Sequence, residues 1–185
     1  MGTPWELLQR ERLRRRNAYL RDIPGDNARA AIFTLSCGGR VRFEGDEDWT
    51  PPGGSLDPQK LRLPVVALDL SGTCVTYEGL DNLVSLPQLQ LLDLSGCPHV
   101  TDWALGRLQA FGATLRELSV AKCPQVTQRG LAALHPLRGL RRLDVTGIPV
   151  SSPGLVRILL EEALPGCHIQ GLELGTLETP PPPPP

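Results

Sequence analysis

One apolar pattern occurs four times in this 185-residue chain and constrains the fold more than any other feature of the sequence. Each copy places three apolar residues in the arrangement LxxLxL, with Val replacing Leu at some positions. The second leucine falls at Leu68, Leu92, Leu118 and Leu143, at intervals of 24, 26 and 25 residues. The last two apolar residues of a copy alternate, which predicts a short strand with one buried face. Residues 169–175 are interpreted as a truncated fifth copy, anchored by Leu172.

A turn and a helix follow the strand in each copy. A small apolar residue three positions after the last anchor suits a tight turn, and it is Cys97, Cys123 or Ile148. The hydroxyl residue that comes next is predicted to be the helix N-cap. These caps are Thr76, Thr101, Thr127 and Ser151. Pairs of apolar residues three apart then predict a helical stripe that packs on the strands. The pairs are Leu80 and Leu83, Leu105 and Leu108, Leu131 and Leu134, and Leu155 and Ile158.

A strand and a helix in about 25 residues predict an α/β leucine-rich-repeat solenoid, with a short curved parallel sheet inside and helices outside. Residues 61–178 are assigned to this domain, because stacked copies can bury stripes that a single copy could not. Residues 23–60 are predicted to form an α-rich N-terminal cap over the open edge of the first repeat. Residues 1–22 are predicted to be a basic segment, helical or disordered, and residues 179–185 an extended polyproline tail.

The composition argues against several classes of function. A net charge of -1 gives no general attraction to nucleic acid. Five widely spaced cysteines without a CxxC predict a reducing compartment and neither a disulfide framework nor a zinc site. The three histidines are scattered, and the sequence has no phosphate-binding glycine loop and no spacing that suggests a catalytic pair. We therefore expect a binding protein with no catalytic residue, no metal and no cofactor.

The first 21 residues leave targeting open. Six arginines lie within residues 10–21 against one acid, Glu11. This basic stretch could contact anionic lipid or the acidic surface of a partner, or it could be a solvated helix. It has the arginine content of a mitochondrial presequence, but Glu6 and Glu11 depart from that composition, so no clear transit peptide is predicted. The chain has no apolar run of 18 residues, so no membrane span is predicted.

The inner face of the sheet is the predicted partner-binding surface. Its central outward positions are expected to form a nearly continuous acidic ladder, because neighbouring strands lie ~4.8 Å apart. The ladder residues are Asp69, Asp93, Ser119, Asp144 and Glu173. Like charges across a sheet repel, and a cation or a basic segment of a partner would relieve that repulsion. Arg116, Arg141 and Arg142 are expected on the same strands and could instead neutralise the row internally; Asp could also be a plain consensus residue of the repeat.

Several segments resemble known families of leucine-rich-repeat protein. The motifs LDLSGCP and VTD are similar to the cysteine-containing class of these repeats, and Ile23-Pro24 followed by Ile32-Phe33 resembles part of an F-box. A broader resemblance, over about residues 20–171, is to the family of distal membrane-arm assembly components and the related ATP synthase subunit s. The segments that carry it are residues 22–27 (DIPGDN), 38–43 (GGRVRF), 97–108 (CPHVTDWALGRL), 115–134, 140–145 (LRRLDV) and 159–167 (LLEEALPGC).

This resemblance implies a role in assembling the distal membrane arm of mitochondrial respiratory complex I. The implied partners are membrane-arm subunits and other assembly factors, with possible peripheral association at the matrix side of the inner membrane. Two alternatives remain open: a coupling or regulatory protein similar to ATP synthase subunit s, and a substrate adaptor of a ubiquitin ligase. The adaptor would need residues 1–60 to form an apolar helical box that binds a ligase component.

Overall fold

The computed structural model describes residues 3–54 and 56–172, which form five α-helices and one six-stranded sheet. The helices are α1 (Pro4–Arg16), α2 (Asp26–Ser36), α3 (Asp102–Arg107), α4 (Gln128–Ala132) and α5 (Pro153–Ala163). The strands are β1 (Arg40–Phe43), β2 (Val65–Asp69), β3 (Leu91–Asp93), β4 (Glu117–Ser119), β5 (Arg142–Asp144) and β6 (His168–Gln170), and they are neighbours in chain order. Short 3₁₀ turns occupy Lys60–Arg62, Gly79–Asn82 and Leu108–Phe111.

Strands β2 to β6 are parallel and stack with their anchors in register. Leu68, Leu92, Leu118 and Leu143 lie side by side and are all buried. The prediction of an α/β leucine-rich-repeat solenoid is thus confirmed, because each strand and the helical segment after it bury a shared apolar layer. This layer runs through the whole stack and is built mainly from Leu and Val side chains.

The fifth copy corrects the predicted register. Ile169, not Leu172, lies opposite Leu143, so this copy follows its predecessor by the ordinary 26 residues. Gly171 has a φ of 92° and packs against Thr146, so the chain turns directly after Gln170. Leu172 is buried too, but it enters the core from this turn and not from the strand.

The predicted pairs of core-facing helix residues are confirmed in the first three copies and wrong in the fourth. Both leucines of the first three pairs are buried, whereas Leu155 and Ile158 are 59% and 55% exposed. Val156 and Leu160 of α5 face the core instead. The cause is a turn shortened by one residue. Val150 follows Ile148 by two positions, while Val126 follows Cys123 by three. The buried helix residue keeps its distance from the turn, because Val156 follows Ile148 by eight residues just as Leu131 follows Cys123 by eight.

The predicted hydroxyl caps differ among the copies. Thr127 is the N-cap of α4, and its hydroxyl accepts the Arg129 N–H at 3.2 Å. Thr101 is the N-cap of α3 without a side-chain cap bond. Thr76 Oγ1 accepts the Gly79 N–H at 3.4 Å and precedes a 3₁₀ turn, not an α-helix. The cap of α5 is Ser152, not Ser151 as predicted, for the same shortened turn.

The segment before β2 covers the first edge of the sheet. Strand β1 pairs antiparallel with β2, and α2 packs on both with Phe33 fully buried. Asparagine side chains join this segment to the first repeat. Asn82 Oδ1 accepts the Leu20 N–H at 2.9 Å, and Asn27 Oδ1 accepts the Val65 N–H at 2.9 Å. Asn17, which is buried, bonds to residues on both sides of this junction.

Cysteines fill the turns after β3 and β4, as predicted. Cys97 and Cys123 are fully buried, and their thiols donate to the carbonyl oxygens of Leu70 (3.1 Å) and Leu94 (3.0 Å). Burial raises the pKa of the Cys97 thiol to about 12 and also raises the pKa of Cys123. These two side chains therefore behave as compact apolar groups and not as thiolates.

Candidate functional site

The inner face of the sheet, opposite the helices, carries two parallel rows of side chains. The central row consists of Asp69, Asp93, Ser119, Asp144 and Gln170, which lie side by side in register. The second row, two residues earlier on each strand, consists of Ala67, Leu91, Glu117, Arg142 and His168. Gln170 thus occupies the fifth place that was predicted for Glu173, because the chain turns after Gln170. Glu173 itself lies outside the described residues.

The aspartates of the central row bond to the turns that follow their own strands. Asp93 Oδ1 accepts the N–H of Ser95 at 2.8 Å and its hydroxyl at 2.5 Å. Asp144 Oδ1 accepts the N–H of Thr146 at 2.9 Å and its hydroxyl at 2.6 Å. Each carboxylate therefore holds the sharp turn that leaves the strand. These internal donors offset much of the repulsion between the neighbouring carboxylates that the ladder was expected to leave to a cation or partner.

Asp69 has a further partner that the repeat pattern did not predict. Arg40 of β1 lies opposite Asp69, and its guanidinium group donates two hydrogen bonds to Oδ2, that from Nε at 2.9 Å. Oδ1 accepts the Ser71 N–H at 2.9 Å. Burial alone would raise the pKa of this carboxyl, but the bonds from Ser71 and the Arg40 charge outweigh burial and lower it below the ordinary value.

Asp69 is expected to make folding sensitive to acid. A carboxyl with a lowered folded-state pKa contributes stability above its unfolded pKa of about 4 and loses it as the pH falls through the folded value. Urea unfolding between pH 7 and pH 3 should therefore show a falling free energy of unfolding. Asp69→Asn should reduce the slope of this decline below about pH 4, because the amide cannot gain the proton. Asp144→Asn is the control for the turn bond alone, since the amide oxygen can still accept the Thr146 N–H. An equal slope in the wild-type and Asp69→Asn chains would contradict the assignment.

The three predicted arginines lie beside the central row and not within it. Arg142 belongs to the second row, and its guanidinium lies 3.5 Å from Glu117. Arg116 precedes β4, and its Nη1 donates to the Gly139 carbonyl at 2.9 Å. Arg141 precedes β5 and lies beside Gly166. Strand alternation directs Arg142 into the neighbouring row, and Arg116 and Arg141 lie just before their strands, so neutralisation of the central row by these arginines stays a prediction.

Three residues of the N-terminal segment complete the inner face. Arg40 and Arg42 extend onto it from β1, where they pair with Asp69 and Ala67. Trp49 lies against both guanidinium groups, with its ring centre 5.4 Å from Arg40 and 5.2 Å from Arg42. No repeat signal pointed to these residues. Glu117, in contrast, could have been found from the sequence, because it lies two residues before Ser119. His168 could not, because the predicted fifth central position was Glu173 and not Gln170.

A shallow groove runs along the two rows from β3 to β6. Its charged walls are Asp93, Glu117, Arg142 and Asp144. Arg142 is 69% exposed and Glu117 39% exposed, so both are open to a partner. Within residues 3–54 and 56–172, no group of three His, Cys, Asp or Glu side chains is arranged to hold a metal ion. Nor does any helix in this part of the chain combine the length and apolar character needed to cross a membrane.

Comparison with known proteins matches one repeat and most of the chain. The profile of the family described as Leucine Rich repeat matches residues 64–84. Mitochondrial ATP synthase subunit s of Mus musculus is 31% identical over 160 residues, which cover 82% of this chain and 78% of that protein. The same protein of Homo sapiens is 30% identical over 70% of this chain and 66% of its own length. Distal membrane arm assembly component 2 of Drosophila melanogaster is 33% identical over 82% of this chain, which spans 55% of that relative.

Proposed function

Because the chain belongs to the family that includes mitochondrial ATP synthase subunit s and distal membrane arm assembly component 2, we propose that it is a non-catalytic assembly factor for the distal membrane arm of respiratory complex I. The names of these relatives, a mitochondrial ATP synthase subunit and an assembly component of a distal membrane arm, support a mitochondrial assembly or coupling role for this chain. The finer proposal places the chain at the matrix side of the inner membrane, where it binds membrane-arm subunits and other assembly factors without turnover of a substrate.

The open inner face is the observation that carries this proposal. Its central row is held by bonds within the fold, whereas Glu117 and Arg142 of the second row remain exposed beside an exposed His168. A groove of mixed charge, with apolar Leu91 at one end, fits a polar protein segment better than a membrane or a nucleic acid. Solenoids commonly bind partners on such an inner surface. Asp69, Asp93, Ser119 and Asp144 shape this surface, and the second row would make most of the contacts.

Affinity capture of the tagged full chain from gently solubilised mitochondria, followed by mass spectrometry, tests the function. Recovery of complex I membrane-arm subunits and assembly factors is the expected result. Recovery of ATP synthase would instead support a coupling or regulatory role, the second candidate, which the name of the mammalian relatives favours. Recovery of ubiquitin-ligase components without mitochondrial complexes would contradict both and support a substrate adaptor.

Reversal of one inner-face charge tests the surface itself. Arg142→Glu is expected to lower the captured partner at least ~10-fold, because a repulsive charge facing Glu117 would disturb the rim of the groove. The fold should survive, since Arg142 is exposed and its ion pair is worth little in water. Arg157→Glu is the matched control, because Arg157 forms a comparable exposed pair with Glu161 on α5, away from the groove. Equal capture by the two variants would remove the inner face from the binding surface.

Helix α1 supplies a surface for peripheral membrane association, which we propose as a second property. None of its residues is buried, and Trp5, Leu7 and Leu8 are exposed near its start. Five arginines follow in the last two turns against Glu11. Clusters of arginine near a membrane surface are attracted to anionic lipid, and the exposed apolar residues at the start of α1 could contact the same surface.

Sedimentation with lipid vesicles measures this association. The full chain is expected to bind vesicles that contain anionic lipid and to be released by salt, because charge attraction is screened over about 10 Å at 0.1 M ionic strength. Arg12→Glu combined with Arg15→Glu should reduce the bound fraction several-fold, at about 1 kcal/mol for each basic residue near the surface. Arg138→Glu, on an exposed residue outside α1, is the charge control. Equal binding to neutral and anionic vesicles would contradict the proposal.

A further inference from the structure

A second surface lies on the outer side of the solenoid, between the first and second repeats. Its centre is Trp103, which is 82% exposed at the start of α3. Together with Tyr77, Gly106, Arg107 and Ala110 it lines a groove, called here the aromatic groove. Large exposed aromatic residues with a nearby arginine are the residue types that dominate binding energy at protein surfaces. The fold does not need the Trp103 ring, because the core of this repeat is filled by Ala104, Leu105 and Leu108.

One wall of the aromatic groove is held by an ion pair, and the groove presents hydrogen-bond donors that have no partner in the described part of the chain. The Arg107 guanidinium stacks on Tyr77 at 4.1 Å from the ring centre and forms an ion pair with Asp81. Within the described residues, neither the exposed Trp103 indole N–H nor the exposed Tyr77 hydroxyl has a hydrogen-bond partner, whereas the Arg107 Nε is buried and cannot reach a ligand. Gly106 leaves open space beside these groups, since a Cβ there would meet no atom within 4 Å. The groove thus combines two aromatic faces with hydrogen-bond donors.

A proline-rich segment has the complementary chemistry. Its rings pack on aromatic faces, and its backbone offers carbonyl acceptors but no N–H donors. Such segments adopt the extended polyproline helix without a partner, so docking on an aromatic groove orders them at little entropic cost. The chain carries a run of six prolines, Pro180 to Pro185, outside the repeat pattern.

We propose that the aromatic groove binds the chain's own proline run, residues 180–185. The end of the groove that holds Tyr77 and Trp103 follows the carboxyl ends of β2 and β3, and Leu172 follows the carboxyl end of β6, so Trp103 and Leu172 lie towards the same edge of the parallel sheet. Three strand spacings of ~4.8 Å and one layer step of ~10 Å separate them by roughly 17 Å. The seven residues 173–179 can span about 23 Å when extended. The proline run therefore reaches the groove of its own molecule.

The indole N–H signals of the three tryptophans in the ¹⁵N-labelled full chain test this binding. Each is assigned by Trp→Phe substitution. The matched variant replaces every proline from Pro180→Ser to Pro185→Ser and leaves the chain length unchanged. The expected result is a shift of the Trp103 signal between the two chains, with the Trp5 and Trp49 signals unmoved. Dilution should leave the shift unchanged, because binding within one molecule does not depend on concentration.

A synthetic peptide of residues 173–185 provides the second measurement. Added to the six-serine chain, it should return the Trp103 signal to its original position. Peptide affinity, followed by fluorescence anisotropy of a label on the peptide, should fall at least ~10-fold in Trp103→Ala, as for a binding hot spot. Ile158→Ala, at another exposed apolar residue of the outer side, should leave it unchanged. Identical Trp103 signals in the two chains, or equal affinity of Trp103→Ala, would overturn the proposal. A shift that disappears on dilution would overturn binding within one molecule in favour of a second copy.

Discussion

Leu118→Ala is expected to lower the free energy of unfolding by ~2–5 kcal/mol. Leu118 is the middle anchor of the stack, with Leu92 on one side and Leu143 on the other, and it is 3% exposed. Truncation removes apolar contacts and leaves a cavity that the neighbouring repeats cannot close, because each is held in register by its own backbone hydrogen bonds. Urea denaturation followed by circular dichroism measures the loss.

Leu155→Ala is the matched control for this prediction. The repeat pattern predicted that Leu155 is buried in the core, but the structure shows that it is exposed. Surface truncations away from special features usually change stability by less than about 0.5 kcal/mol. A large loss for Leu155→Ala together with a loss under ~1 kcal/mol for Leu118→Ala would reverse the assignment of core and surface.

Asn17→Ala is expected to cost ~2–4 kcal/mol, since it leaves the part-buried Cys74 carbonyl and Thr76 N–H without their partner, while the Leu13 carbonyl keeps its bond from the Asn17 N–H. The Asn17 Nδ2 donates to the carbonyl oxygens of Leu13 and Cys74, both at 2.9 Å, and its Oδ1 accepts the Thr76 N–H at 2.8 Å. The side chain is 3% exposed, so water cannot readily replace these bonds. One amide thereby joins the end of α1 to the turn after β2.

Two measurements separate the loss of this junction from general destabilisation. Urea unfolding gives the free energy, and trypsin digestion under native conditions reports whether α1 with its arginines detaches first. Gln90→Ala removes an amide of similar size at an exposed position, and it should change neither result. Unchanged proteolysis of α1 in Asn17→Ala would show that other contacts hold the helix in place.

The repeat architecture followed from the sequence because its cause is local and periodic. The spacing of Leu68, Leu92, Leu118 and Leu143 predicted which side chains share a layer, and the structure places all four together. The cysteines were placed correctly in the turns for the same reason, since a compact apolar side chain suits that buried position. Family membership was predictable from longer motifs such as residues 159–167.

Errors arose where a single residue changed the local geometry. The shortened turn before Val150 moved the cap of α5 to Ser152 and turned Leu155 outward. The turn at Gly171 made Ile169 the last anchor and left the fifth place of the row to Gln170. An alignment based on leucine spacing does not detect a one-residue deletion in a turn. Neighbouring apolar residues still match the expected positions, although they face the other way.

Some residues of the candidate site could be predicted from the sequence, and others are placed only by the tertiary structure. The sequence by itself determined that Asp69, Asp93, Ser119 and Asp144 form one row, because equal positions of stacked repeats must become neighbours. Only the tertiary structure decided that Arg40 bonds to Asp69, that Trp49 lies against Arg40 and Arg42, and that Asn17 holds Thr76. These partners come from the segment before the repeats and have no period. Their positions depend on how β1 and α2 pack on the first edge of the sheet, and that packing is set by the shapes of side chains far apart in the chain.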